Sequence, residues 1–371
     1  MRILYCRFSI FDLKPEVASP LQIENRQSAI DNHPCFPLRY FSMDAGLVYH
    51  EQFLTHDTGY DHPERPDRLR AVIAALEAAG LRKQLRDIAF QPAEATDIDI
   101  VHDAVYVDRL REACESGRDF IDSMDTPICA NSYNAALWAA GGMFAAVDLI
   151  MAGDLRAAFC PVRPPGHHAE KGEAMGFCLF NNIALAAERL IRTHGLKRVA
   201  IVDFDVHHGN GTQHIFEKRP DVLFISMHEH PKFQFPGTGY AHETGIGEGI
   251  GATLNIPFLP GAGDAEAQQA MVTQVLPTLE KFDPEFLLCS AGFDAVRGDP
   301  LGHLEWSVEQ YGRITTRLCE FARVCCRGRF ISVMEGGYDL GLLGRCAVQH
   351  VGAMIATMSV ASSEKRVVSS E

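Results

Sequence analysis

The sequence contains no CxxC pair, no basic block, no internal repeat and no apolar run of membrane-spanning length, and each gap removes a class of function. The eleven cysteines are odd in number and scattered, with Cys319, Cys325 and Cys326 the one close set. That distribution argues against a disulfide framework and against a structural zinc ribbon. Reduced, mostly buried thiols of a cytoplasmic protein are the expectation. Lys and Arg number 34 against 48 Asp and Glu, a formal net charge of −14, so nucleic acid is not an expected partner. An acidic surface suits a cationic substrate such as a lysine-rich segment or a polyamine, although many soluble proteins are acidic without one. No membrane partner is expected either, since no run reaches the length of a span. Arg7 and Asp12 interrupt the stretch MRILYCRFSIFDLKPE, which makes it a poor signal peptide.

What is present is the balance of a globular chain, 47% hydrophobic and 22% charged over 371 residues. Residues 1–42 carry scattered Pro15, Pro20, Pro34 and Pro37 without sustained periodicity, and read as an irregular N-terminal extension. Met43 precedes an apolar run (AGLVYH) and marks an alternative translation start. Residues 43–358 read as one domain, and 359–371 as a polar tail. Pro66 opens a helical segment that stops at Gly80, the usual punctuation of a helix. Similar periodicity predicts helices near 99–115, 133–152, 181–194, 265–281 and 307–325. Between them lie AAFC (157–160), RVAIVDFD (198–205), DVLFISMH (221–228), EFLLCSAG (285–292) and RFISVMEGG (329–337). Nearly continuous apolar runs separated by helices predict an α/β fold with a parallel sheet covered on both faces.

Each of these five strands runs into a polar or glycine-bearing cluster. The first meets Arg163, Gly166, His167 and His168. The second meets Asp203, Asp205, His207 and His208, then Gly209-Asn210-Gly211. Ser226 and His228, then Ser290 to Asp294, then Glu335-Gly336-Gly337-Tyr338 complete the set. Ligands of open parallel sheets bind at the carboxyl ends of the strands, so five clusters predict one composite site.

In an extended VDFDVHH segment, Asp203, Asp205 and His207 share one face, while Phe204, Val206 and His208 turn away. Two buried carboxylates and an imidazole repel and desolvate badly without a cation, so a metal is expected. A hydrogen-bonded Asp–His pair explains two of the three residues but not all. Asp294, after the next apolar strand, can supply a third ligand. Three protein donors leave positions open for water and substrate, as a catalytic metal requires. The donors alone do not select zinc over iron, manganese or cobalt. The tandem His167-His168 offers a base near the metal, which the ligands themselves cannot be, and Tyr338 offers a phenol at the same edge.

In this combination the chain resembles the histone deacetylase family, its class II branch in particular. The matching motifs are HPERPDRL (62–69), RPPGHHAE (163–170), GFCLFNN (176–182), VDFDVHHGNGTQ (202–213), FPGTG (235–239), SAGFDA (290–295) and EGGY (335–338). The resemblance implies the arginase/deacetylase fold, a central, mainly parallel eight-stranded sheet between helical layers. It implies one catalytic Zn2+ held by Asp205, His207 and Asp294, and a structural K+ near Asp203, Asp205, His207, Ser226 and Met227. It makes His168 the general base and acid, and His167 its electrostatic partner, oriented by Asp203. Asn210 stands at the second orienting position, and Tyr338 polarises the acetyl carbonyl. Phe177 and Phe235, with Gly176 beside them, form a tunnel for the substrate stem. Asp125, in the loop before the helix at 133–152, matches the rim aspartate, and Arg68 lines the internal channel. Leu301, after Gly298-Asp299-Pro300, stands where polyamine-specialised members carry an acidic gatekeeper. The implied substrate is an acetylated (or longer acylated) lysine in a peptide or protein, with an acetylated polyamine as the alternative; a homo-oligomer is left open. A non-catalytic acyl-lysine binder is disfavoured because no ligand, His or Tyr of the set is missing. A binuclear arginase-type hydrolase is disfavoured by the single-metal motifs.

Overall fold

The computed structural model describes residues 44–359, so the extension expected over 1–42 and the tail beyond 359 lie outside the described residues. Its strands, in chain order, are β1 (Ala45–Leu47), β2 (Arg86–Asp87), β3 (Phe120–Ile121), β4 (Ser123–Pro127), β5 (Ala157–Cys160), β6 (Val199–Asp203), β7 (Val222–Glu229), β8 (Thr253–Phe258), β9 (Phe286–Ala291) and β10 (Phe330–Met334). Eight of them form one sheet in the order β2-β1-β5-β10-β9-β6-β7-β8, and β3 with β4 forms a separate hairpin. Every pairing in the large sheet is parallel. The five strands expected from the apolar runs are contiguous in the middle (β5-β10-β9-β6-β7), so their polar termini meet at one edge.

Alternation along these strands builds two cores. Ala157 and Phe159 of β5 join one cluster, Ala158 and Cys160 the other; Ala200 and Val202 of β6 face opposite Val199 and Ile201. Helices Pro66–Ala78, Val308–Cys325 and Leu340–Ser359 cover the first face; Ala104–Glu115, Ser132–Met151 and Asn182–Arg192 cover the second. Each large aliphatic side chain sealed in this way contributes about 1.5–3 kcal/mol, so the central strands are the rigid frame of the site.

Several expectations need correction. Helix Ser132–Met151 is long and apolar enough to cross a membrane by length and composition, so such a run does exist. Its apolarity has another cause in this fold. The helix is 61% buried over its most apolar window, and Gly141 and Gly142 let it lie directly on Gln91 and Val48. The helix expected near 99–115 is split into Ala95–Ile98 and Ala104–Glu115. The one near 265–281 spans Asp264–Phe282 with a π-helical turn at Met271–Val275. Strands β2 and β8 and the helix Leu340–Ser359 were not foreseen.

Candidate metal centre and its surroundings

Strand β6 stops at Asp203, so the extended run through His207 expected from alternation is not formed. The chain bends immediately afterwards, fixed by its own carboxylates. Asp203 Oδ1 accepts the Asp205 N–H at 3.0 Å, and Asp205 Oδ1 accepts the His207 N–H at 2.8 Å. The alternation of faces survives the bend. Phe204 and Val206 enter the core while Asp205 and His207 point into the site.

Asp294 lies three residues past β9, and its Oδ1 accepts the Val206 N–H at 2.9 Å. One ligand atom from each of Asp205, His207 and Asp294 then lies within 4.8 Å of the others, all three residues buried. His207 Nδ1 sits 3.0 Å from Asp205 Oδ1 and 3.2 Å from Asp294 Oδ2. The latter oxygen is nevertheless sealed from solvent without a hydrogen-bond partner. The position fits attraction to a charge better than a hydrogen bond, and an orphaned carboxylate oxygen facing two other donors is what a metal ion satisfies. Gly292 and Gly336 make the approach possible. A methyl group on Gly292 would collide with the Asp205 carboxylate, and one on Gly336 with those of both Asp205 and Asp294.

Electrostatics point the same way. Burial pushes Asp294 up to about 7, with the Asp205 charge adding to the effect. Burial likewise raises Asp203, and takes Glu335 up to about 7. Burial opposes the charge on His207, but the hydrogen bond to Asp205 and the attraction of the Asp294 and Asp205 carboxylates carry it up to about 10. The pocket holds more buried negative charge than its side chains can balance, and a divalent cation matches that surplus.

The tandem histidines lie on the loop after β5. His167 Nδ1 is 2.9 Å from Asp203 Oδ2, and His168 Nδ1 is 2.7 Å from Asn210 Oδ1. Their rings are 4.0 Å apart, with the His168 ring 5.9 Å from His207. Burial works against charge on His167, but Asp203, Asp205 and Glu335 outweigh it and raise the ring to about 10. Burial, then the charges of His167 and His207, hold His168 well below the ordinary imidazole value. One ring is kept cationic and its neighbour neutral.

Phe177 takes a left-handed conformation (φ 69°), a strain that persists only where the surroundings enforce it. Its ring stands edge-on to Tyr338 at 6.0 Å, and Phe235 stands edge-on to His168 at 5.1 Å. Gly176, also left-handed, passes so close to His168 and Phe235 that a side chain there would strike both rings. Leu301 is partly exposed; Gln234 Nε2 donates to its carbonyl at 2.7 Å, and its N–H donates to Asp299 Oδ1 at 3.0 Å. Arg68 is fully buried, its guanidinium 4.9 Å from the Tyr338 ring, and it donates to Gly337 O and Glu335 O. Ser226 is paired with Asp203 across β6 and β7, with Met227 buried beside it. Asp125 departs from expectation: it lies in strand β4, not in a loop, and its carboxylate accepts the hydroxyls of Ser123 and Thr126.

Some supporting roles were not foreseen. Glu335 Oε2 accepts the Gly166 and His167 N–H groups at 2.8 and 3.2 Å, so it holds the histidine loop. Glu64 joins Arg163 and Arg68 in a fully buried cluster. Asp299 Oδ2 accepts the N–H groups of Tyr338 and Asp339 at 2.7 and 3.2 Å. Asp122 ties the β3–β4 hairpin to the loop before Gly176 through Ala174 N. Glu64 and Glu335 stand within the quoted motifs and Asp299 just past one, while Asp122 stands in none, and a sequence does not reveal which backbone N–H a carboxylate will meet.

A parallel α/β sheet whose strand ends assemble a buried Asp–His–Asp centre beside two histidines defines the class of metal-dependent hydrolases. The comparisons with known proteins narrow this. The family model described as "Histone deacetylase domain" matches residues 62–354. A histone deacetylase-like amidohydrolase of Pseudomonas aeruginosa is 39% identical over 287 residues, covering 77% of this chain and 75% of that protein. A human polyamine deacetylase, HDAC10, is 36% identical over 326 residues, covering 84% of this chain and 48% of that protein. The crystal structure of the HDA15 HD domain superimposes with a TM-score of 0.79 at 37% identity, covering 84% of this chain and 89% of that one. The chain belongs to the histone deacetylase family, and is a deacetylase of the amidohydrolase type with a buried Asp–His–Asp metal site.

Proposed function

We propose that the chain hydrolyses acetyl groups from the side-chain amine of lysine in peptides or proteins, with one Zn2+ held by Asp205, His207 and Asp294. Bound there, the metal supplies Lewis-acid polarisation of the amide carbonyl and lowers the pKa of the attacking water. His168 takes the proton of that water and returns it to the leaving amine, for which a neutral imidazole is the competent starting form. His167, held cationic by its carboxylates, stabilises the negative charge that builds up as the carbonyl is attacked. Tyr338 donates its phenolic proton to a hydrogen bond with the developing oxyanion. Phe177 and Phe235, with Gly176 beneath them, grip the aliphatic stem, and Asp125 receives the substrate backbone. Arg68, beside the Tyr338 ring, is the cation that draws acetate inward. A K+ at Asp203, Asp205, His207, Ser226 and Met227 stiffens the floor. The observation that carries the chemistry is the convergence of the neutral His168 and the cationic His167 on the Asp–His–Asp trio.

Lysine is favoured over a polyamine by the mouth of the site. Leu301 offers no charge to a second cation, and neighbouring Asp299 is turned inward onto three backbone N–H groups. The likeness to a human polyamine deacetylase supports the second reading. Replacing His168 by Ala should cost about 100-fold or more in kcat with metal content unchanged. Near wild-type turnover would sink the assignment. Side-by-side rates on an acetyl-lysine peptide and acetylputrescine decide the substrate, and a higher kcat/KM for acetylputrescine reverses the lysine reading.

A further inference from the structure

His168 does not meet a carboxylate on its outer nitrogen. It meets the amide of Asn210, and an amide presents a donor or an acceptor depending on which way it faces. For His168 to act as a base towards the metal centre, Nδ1 must carry the proton and Nε2 must be free. This requires Asn210 to offer its oxygen, and something must hold it so.

The other end of that amide supplies the answer. Asn210 Nδ2 lies 2.5 Å from Glu170 Oε1, 3.3 Å from the His168 carbonyl and 3.4 Å from Met175 Sδ. The same Glu170 oxygen is 2.8 Å from Nδ1 of His214, one helical turn beyond Asn210. An ionised carboxylate accepts and cannot donate. The amide nitrogen must therefore face Glu170, the amide oxygen must face His168, and the proton of His168 must sit on Nδ1. A flipped amide would set Asn210 oxygen against the Glu170 carboxylate and the His168 carbonyl, with no proton between them. The chain from His168 through Asn210 to Glu170 and His214 ends at a surface cavity of roughly 550 Å³ lined by Glu170, Lys171, Asn210, His214, Pro236 and Thr238. Glu170 is the charged member of the chain, and the shorter of the two oxygen contacts to Asn210 is its own.

We propose that Glu170 is a positioning residue which, through Asn210, fixes the nitrogen on which His168 carries its proton. This rests on the reading of His168 as the base. It assigns to the last residue of the RPPGHHAE motif a role distinct from those of its histidines. His214 is its anchor, holding the carboxylate against helix Asn210–Phe216 so that it cannot swing into the cavity.

The test is Glu170→Gln in the zinc-loaded protein. A glutamine amide can donate as well as accept, so the stronger of the two biases on Asn210 is lost while the size is kept, and the longer contact to the His168 carbonyl remains. Loss of one charge-assisted hydrogen bond predicts a kcat lower by about ten-fold, with KM within about two-fold and metal content unchanged. His214→Ala should lower kcat in the same direction but by less. Glu173→Gln removes a nearby exposed charge and should leave kcat unchanged. The decisive readout is spectroscopic. Long-range 1H–15N NMR, with the His168 signals assigned by their absence in His168→Gln, should show Nδ1 protonated in the parent. The Glu170→Gln variant should show a mixture of the two tautomers. An unmoved His168 tautomer in that variant overturns the proposal whatever the rate does. If the tautomer shifts and kcat does not, the proposed link to catalysis fails. If His168→Ala is itself active, the base assignment fails separately, because the tautomer measurement does not depend on turnover.

Discussion

His350 lies beneath the metal centre and should make the protein's stability depend on pH in a defined way. Its ring is fully buried, 5.6 Å from Phe159, 6.0 Å from Phe204 and 5.6 Å from Phe293, the last two directly preceding Asp205 and Asp294 in the chain. Its hydrogen bonds determine its tautomer. Thr315 Oγ1 donates to the Tyr311 carbonyl at 2.6 Å, so it must accept from His350 Nδ1, also 2.6 Å away. His350 Nε2 is then the acceptor for the Ser332 hydroxyl at 2.7 Å. Burial alone lowers this imidazole from its ordinary 6.5 to about 3. A depressed histidine means that the unfolded chain binds the proton first, so its stabilising contribution is complete above pH 6.5 and is lost as pH falls towards 3. The full linkage is about 5 kcal/mol, of which about 2 kcal/mol disappears between pH 7 and pH 5. The perturbation is His350→Asn, whose amide can still donate to Thr315 but does not titrate. The variant should be less stable at pH 7, but its stability should fall less steeply below pH 6, by up to one proton or about 1.4 kcal/mol per pH unit. Urea unfolding at pH 7, 6, 5.5 and 5 measures this. Metal release in acid is common to both proteins and cancels in the difference. Parallel pH profiles for parent and variant would refute the reasoning, since they would mean that His350 titrates alike in the folded and unfolded chains.

Three further outcomes are expected. Gly336→Ala sets a methyl group against the carboxylates of Asp205 and Asp294, so elemental analysis should find most of the metal lost while the far-UV spectrum is kept. Arg163→Lys removes a two-pronged grip on Glu64 at 2.6 and 2.7 Å together with bonds to the Phe53 and His56 carbonyls. It should destabilise the fold by about 3–5 kcal/mol, read from the urea midpoint, because a lysine cannot replace a buried guanidinium fork. Asp299→Asn loses one acceptor oxygen facing the Tyr338 loop, and should lower kcat by about ten-fold while leaving zinc content and KM little changed.

The sheet was legible where the residues carried one unambiguous signal. Strand β5 was read to its ends because Ala157 to Cys160 are apolar on both faces and are closed off by Pro161. The two edge strands were harder. β2 is only Arg86–Asp87, exposed or half-buried at the sheet margin, and two polar residues give no periodicity to read. Strand β8 at the other margin carries Asn255 and Pro257, which interrupt its apolar run. Helix Leu340–Ser359 hid its start in the glycines of the EGGYDLGLLG stretch. Metal ligands were legible for a different reason: carboxylates and histidines at the ends of buried strands are costly, and sequence shows both their type and their place in the strand. The segment's geometry was not. Alternation predicted the right faces for Asp205 and His207 through an extended strand that does not exist, because side-chain-to-backbone bonds within the bend reproduce the same two-residue repeat.

The least legible part of the site is its backbone chemistry, and this has a physical cause. Glu335, Asp299 and Glu64 touch few of the reacting groups through their side chains, but each holds main-chain or charged groups of a loop that does. A carboxylate's value there depends on two or three N–H vectors, some arriving from distant segments, as those of Gly166 and His167 do at Glu335. Residue type does not encode those vectors; packing does. The consequence is a layered tolerance to substitution. Asp205, His207 and Asp294 must keep their donor atoms for the metal, and no neighbour can replace them. Asp299 must keep its acceptor oxygens but need not keep its charge, since the groups it binds are neutral amides, whereas the charge of Glu335 also helps to hold His167 cationic. Glu170 differs from both. Its charge matters because only an obligate acceptor removes one of the two orientations open to Asn210, so its isosteric amide should cost more in kcat than in stability.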